Sequence, residues 1–249
     1  MINLLKKLFW GTEKSYCEEI PEENKTWVKN NTIWLKKVLG KDIENNNYNK
    51  LIKYYDLSKF PNIDIYTREV IQEIKRILKI NNVKIDVIWT KDLRDVFETP
   101  MITESRVPFE YRIQRLNTKR NFKLYLSKAL QKSPKRLLYI IAISLTEVLF
   151  QVRRIKHYKG RDKEELLLLA SLYLGLEVFV IIGSETYDII RDGEFTTDIS
   201  YFSLVPISFL IFMLCYIEKY LKKDIYLLVE HKEFSRYLNC YNYWKQQLE

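Results

Sequence analysis

The stretch from Ser133 to Gly183 constrains this chain most, because it is too apolar to lie anywhere but in an interior. Ser133-Pro134 reads as a helix start: Ser to cap the first free N–H groups, then Pro, whose missing N–H costs nothing at the first position. Leu137, Leu138, Ile140, Ile141, Leu145, Val148, Leu149 and Val152 then keep nearly every side of that helix apolar. A helix apolar all round is a buried one. Arg153, Arg154, Lys156 and Lys159 return the chain to water, and Gly160 can stop the helix. Asp162 to Glu165 has capping-box spacing and opens a second helix, Lys163 to Ile182, which Gly183 is expected to end. Ser144, Thr146, Glu147, Ser171 and Glu177 stand out inside these helices, since a buried polar group is costly without a partner.

The remaining elements follow from periodicity. Lys25–Leu39 reads as a helix with Trp27, Trp34 and Val38 on one stripe and Gly40 at the stop position. Leu51–Phe60 reads as extended, up to Phe60-Pro61. Thr67 is the expected cap of a helix over Arg68–Lys79, with Val70, Ile71, Ile74, Ile77 and Leu78 inward. Val83–Trp89 alternates with period two and predicts a strand; Asn121–Leu126 predicts a second, with Phe122, Leu124 and Leu126 on one face. Thr90–Arg120 reads as irregular, and Ser184–Ile199 as a polar connection rich in acids. Ser203–Tyr216 is a third strongly apolar helix with Pro206 in its first turn, and Glu230–Leu248 an amphipathic one. The apolar helices sit at the short end of what a bilayer requires, and Glu147 and Glu177 would fall in hydrocarbon, so buried core helices are favoured over membrane spans.

Composition bounds the function. The chain of 249 residues carries a net charge of +9, which raises nucleic acid or an anionic membrane surface as a partner, through the basic residues from Arg106 to Lys135. Lys, Asn, Ile and Tyr are abundant together, as an AT-rich genome would produce, and this spreads Lys without selection for a patch. Cys17, Cys215 and Cys240 have no short spacing and make neither a disulfide framework nor a metal knuckle; a reducing compartment fits. His157 and His231, the only two His, stand in no ligand motif. Met1–Trp10 lacks the uninterrupted apolar region of a signal peptide, and the expected location is cytoplasmic. With only six Gly there is no phosphate-cradling loop, and no nucleophile neighbours a His base.

Strand, Ser133-Pro134, then a helix reading Leu145-Thr146-Glu147-Val148-Leu149-Phe150 resembles the active-site helix of HExxH zinc metallopeptidases. The run Leu167 to Gly175 is similar to the following helix in a bacterial branch of such proteins, and the order of Trp-bearing helix, Phe-Pro, helix and strand is similar to its N-terminal half. The resemblance implies an α+β, mostly helical, zincin-like fold with a buried helical core and a small β-sheet. It further implies an arm and linker over residues 1–24 and a single metallopeptidase-like domain over 25–249. In that family two His four residues apart bind zinc, an adjacent Glu activates the metal-bound water, and an acidic residue of the next helix completes the site. Laid on this chain, the two His positions fall on Thr146 and Phe150, the third ligand falls near Leu168, and Glu147 is retained. Phe and Leu cannot ligate zinc and a neutral Thr hydroxyl is a poor substitute, so the expectation is no metal and no cofactor.

The function expected from the resemblance is a pseudoenzyme: catalytically inactive, metallopeptidase-like, acting by binding another macromolecule, most simply a protein. Two alternatives stay open. One is an enzyme with a non-zinc site around Glu147; the other is a basic protein that binds a membrane surface or nucleic acid. Glu147 itself is expected to take a partner from elsewhere, a Tyr or an Arg of the irregular middle, because Arg153 and Arg154 are poorly placed to reach it.

Overall fold

A computed structural model describes residues 19–40, 54, 57–91, 111–116, 120–156, 161–184, 186–192, 195–201, 205–221 and 237–248, with backbone alone at 161, 162, 182, 186–192 and 195–201. The N-terminal segment Met1–Trp10, Cys17, His157, Gly160, His231, Arg106 and Lys119 lie outside the described residues. In chain order the elements are α1 (Glu22–Leu39), a 3-10 turn (Leu57–Lys59), α2 (Ile63–Ile77), β1 (Lys84–Thr90), β2 (Tyr111–Arg115), β3 (Asn121–Ser127) and a second 3-10 turn (Lys128–Lys132). There follow α3 (Pro134–Val152), α4 (Arg161–Tyr173), α5 (Glu177–Ser184), β4 (Thr186–Asp192), β5 (Phe195–Tyr201), α6 (Ile207–Leu221) and α7 (Leu238–Leu248). The chain is α+β and mostly helical.

α3 is the centre. From Arg136 to Phe150 every residue except Glu147 is buried. It packs most extensively on α5, and also on α4, α2 and β2. Pro134 occupies the first turn as expected, but the Ser133 side chain makes no capping bond; its hydroxyl is buried instead. The tie at this end comes from Tyr66 of α2, whose phenol donates to the Tyr54 carbonyl at 2.8 Å and lies 3.4 Å from that of Pro134.

The three-stranded sheet has β3 in the middle, parallel to β1 and antiparallel to β2. The register sets Phe122 opposite Ile85 and Arg115, and Leu124 opposite Val87 and Ile113. Phe122, Leu124 and Leu126 are buried, which is the alternation the sequence predicts. β3 is central, with both of its sides paired.

Other differences have local causes. The stretch expected to be extended ends in a 3-10 turn at Leu57–Lys59. α2 starts at Ile63, not Arg68, because the Asn62 side chain accepts from the Ile65 N–H at 2.9 Å; Thr67 is buried one turn later and donates to the Ile63 carbonyl. α1 begins at Glu22, inside the expected linker. α4 begins at Arg161, one residue before the expected Asp162 cap. The single helix read over Lys163–Ile182 is two: Gly175, at φ 84°, lets the Leu176 N–H bond the Ser171 carbonyl and the Gly175 N–H that of Leu172. That is a Schellman end, which Gly favours because it has no Cβ to clash at positive φ. The segment read as a polar connection is the hairpin β4–β5, and Tyr111–Arg115, read as irregular, is a strand. α6 begins after Pro206 and runs five residues past the expected Tyr216, to Leu221.

Gly183 lies within α5 instead of ending it. A Cβ there would fall against the Lys135 carbonyl and 2.5 Å from the Tyr139 Cβ, so the absence of a side chain lets α5 close on α3. Two other helix ends reverse this logic: Lys79 and Arg154 hold φ of 55° and 56° at the ends of α2 and α3, where Gly would be less strained. Opposite outcomes are therefore expected from two glycine exchanges measured by urea unfolding. Gly183→Ala should destabilise by about 1–3 kcal/mol through overpacking, whereas Arg154→Gly should be neutral or stabilising by up to about 1 kcal/mol. A neutral Gly183→Ala would mean that α5 does not approach α3 as described.

Candidate functional site

The positions that the resemblance marks lie on α3 and α4, which pack on each other. Thr146 is buried, and its hydroxyl lies 2.9 Å from the Ala142 carbonyl and 2.8 Å from the Ser171 hydroxyl of α4. Ser171 in turn lies 2.8 Å from the Leu167 carbonyl. Two protons thus serve three contacts, and both hydroxyls are satisfied without water. Phe150, four residues on, is buried edge-on to Trp34 of α1, with ring centroids 6.3 Å apart. Leu168 is fully buried, one turn before Ser171 on α4. The residue of α4 that Thr146 meets through a hydrogen bond is Ser171.

Glu147 is the exception to the enclosure of α3, with its side chain 12% exposed. One carboxylate oxygen accepts from the Lys163 ammonium at 2.7 Å and from the Gln151 amide at 3.5 Å. The other accepts from the Tyr111 phenol of β2 at 3.4 Å. The expected partner is a Tyr or an Arg of the middle segment, and Tyr111 is such a residue; the shorter contact, to Lys163, is not among the expected ones. Nothing in the spacing of either helix marks that pair in advance. Arg153 instead donates to the Leu39 carbonyl at 3.3 Å.

The charges at this junction act on one another. Burial, and then the carboxylate of Glu147, hold the Tyr111 phenol well above the ordinary phenol range. Burial also raises the Glu164 carboxyl; Lys163 opposes the shift and Glu147 adds to it. The arrangement is an acid–base cluster: a carboxylate held between an ammonium, an amide and a phenol, with a second carboxyl beside it. Among the described residues no group of three or more His, Cys, Asp or Glu is placed to hold a metal ion. Glu177 opens α5 and is half-buried; Glu185 lies outside the described residues and Asp188 has only its backbone described. No helix among the described residues is long and apolar enough to cross a membrane. Fold and site together define an α+β protein with a polar cluster set into the seam of a buried helical hairpin. No protein-family model, curated protein or solved structure matches the chain.

Two measurements probe the cluster. Lys163→Met should destabilise by about 1–3 kcal/mol, because it leaves a mostly buried carboxylate without its cation. Adding Glu147→Gln should recover part of that loss in a double-mutant cycle; simple additivity would show that the pair does not interact. The phenols give a pH test. Where a folded-state phenol pKa is raised, the folded chain keeps its proton after the unfolded chain has lost it. Stability is then full below the ordinary value of 10 and falls as pH rises beyond it. Tyr111 contributes, as does Tyr173, pushed up to about 12 by burial and by Tyr220. Unfolding free energy should fall above that ordinary value, less steeply in Tyr111→Phe; an unchanged slope would place Tyr111 in water.

Proposed function

We propose that this chain is a metallopeptidase-like pseudoenzyme that acts by binding another protein. The observation that carries the reading is how the three expected ligand positions are used. Thr146 is committed to a buried hydroxyl pair, Phe150 to a ring contact with Trp34, and Leu168 to the core. A zinc ion needs nitrogen, sulfur or oxygen donors at those positions and room for its water. Glu147, the general base in the family the sequence resembles, is bound by Lys163 at 2.7 Å, a contact that neutralises it where a base would need a polarised water.

The reading predicts that full-length protein purified in the presence of zinc carries far less than one equivalent by mass spectrometry. It also predicts no chelator-sensitive hydrolysis of casein. Stoichiometric zinc together with chelator-sensitive proteolysis would overturn it, because the ligands would then come from residues other than these.

A further inference from the structure

β4 and β5 form a sheet of two strands, and among the described residues neither strand pairs with a third. A lone two-stranded hairpin is marginal in water, and its two edges present backbone N–H and C=O groups that another strand can satisfy. The hairpin also differs in charge from the rest of the chain. Residues 185–201 carry Glu185, Asp188, Asp192, Glu194 and Asp198 against Arg191, a net charge of −4 in a chain of +9.

The register makes the edges unlike. Asp188 is opposite Ile199, Ile190 opposite Thr197 and Asp192 opposite Phe195, so Asp188, Ile190 and Asp192 are alternate positions on one face of β4. On β5 a single acid, Asp198, stands between Thr196 and Ser200 on one face, and Phe195, Thr197, Ile199 and Tyr201 occupy the other. An incoming strand beside β4 therefore meets acid, apolar, acid at every second residue. We propose that the edge of β4, which pairs with no other described strand, takes up as a third strand an extended segment of another protein that carries basic, apolar and basic residues at alternate positions. Main-chain hydrogen bonds would supply the binding, and cross-strand pairs with Asp188 and Asp192 the selectivity. A second copy of this chain joined β4 to β4 would set acid beside acid, and a polyanion would meet the same repulsion. The proposal rests on the reading that the chain works by binding a protein, but its readout is independent of zinc and proteolysis.

The test is fluorescence anisotropy with the full-length chain and a short labelled peptide in which Lys, Val and Lys alternate with Thr. A matched peptide with Glu in place of Lys is the control. The Lys peptide should bind, should weaken as salt is raised, and should outbind the Glu peptide by about tenfold or more. Asp188→Asn with Asp192→Asn should lose most of that preference while circular dichroism and the urea midpoint stay unchanged. If the double variant unfolds, Asp192→Asn alone is compared with Asp198→Asn, and only the former should weaken binding. Equal binding of both peptides, no binding of the Lys peptide, or no effect of the β4 substitutions would overturn the proposal. So would light scattering that shows a dimer whose formation excludes the Lys peptide, which would name a second copy as the occupant.

Discussion

The structure depends on covering α3 on all sides. Each large apolar side chain taken fully from water contributes about 1.5–3 kcal/mol against the entropy of ordering the chain, and α3 presents such side chains in every direction from Leu137 to Phe150. Each neighbour is placed as part of the cover. α2 brings Tyr66, Val70 and Ile74 on one stripe. α5 closes against Tyr139 because Gly183 leaves room. The sheet turns Phe122, Leu124 and Leu126 inward, and α1 reaches the far end through Trp34. Two buried polar groups of α3 are taken up by the same packing: Ser144 donates to the Ile141 carbonyl, and Arg136, 1% exposed, lies over the Tyr139 ring at 4.5 Å.

Glu147 sits at the seam where this cover is incomplete. Its carboxylate joins α3 to two other elements, β2 through Tyr111 and α4 through Lys163, and also accepts from Gln151 one turn along its own helix. The Lys163 side chain is 34% exposed, so the ion pair is screened and modest in strength. Its larger effect is on register, because a one-turn slip of α4 on α3 would part Lys163 from Glu147 and Ser171 from Thr146 together. A polar pair that fixes alignment while contributing little net stability is a known use of charge within packed helices.

A second set of contacts ties the ends of the chain. Glu218 of α6 is buried and accepts from the Tyr241 phenol of α7 at 2.5 Å, with Lys245 at 3.5 Å from its other oxygen. Phe212 meets Trp244 edge-on at 5.1 Å. Lys25 and Lys36 of α1 lie over the rings of Trp244 and Tyr220, so the first described helix is joined to the last two.

The sequence by itself determined that α3 is buried, that Pro134 opens it, that Gly40 ends α1, and that Val83–Trp89 and Asn121–Leu126 are strands. Each of these is a matter of local periodicity or of one residue's backbone preference. The break at Gly175 and the hairpin β4–β5 were within reach, since Gly favours helix ends and Asp192-Gly193 between alternating runs is a hairpin signal. They were missed because apolar continuity outweighed the first and acidity hid the second. Tertiary structure alone decided that Tyr111 and Lys163 meet at Glu147, that Thr146 pairs with Ser171, and that β3 is central. The physical reason is that a side chain's partner is set by which elements are pressed together to bury α3, and that pairing is not written in the spacing of either element.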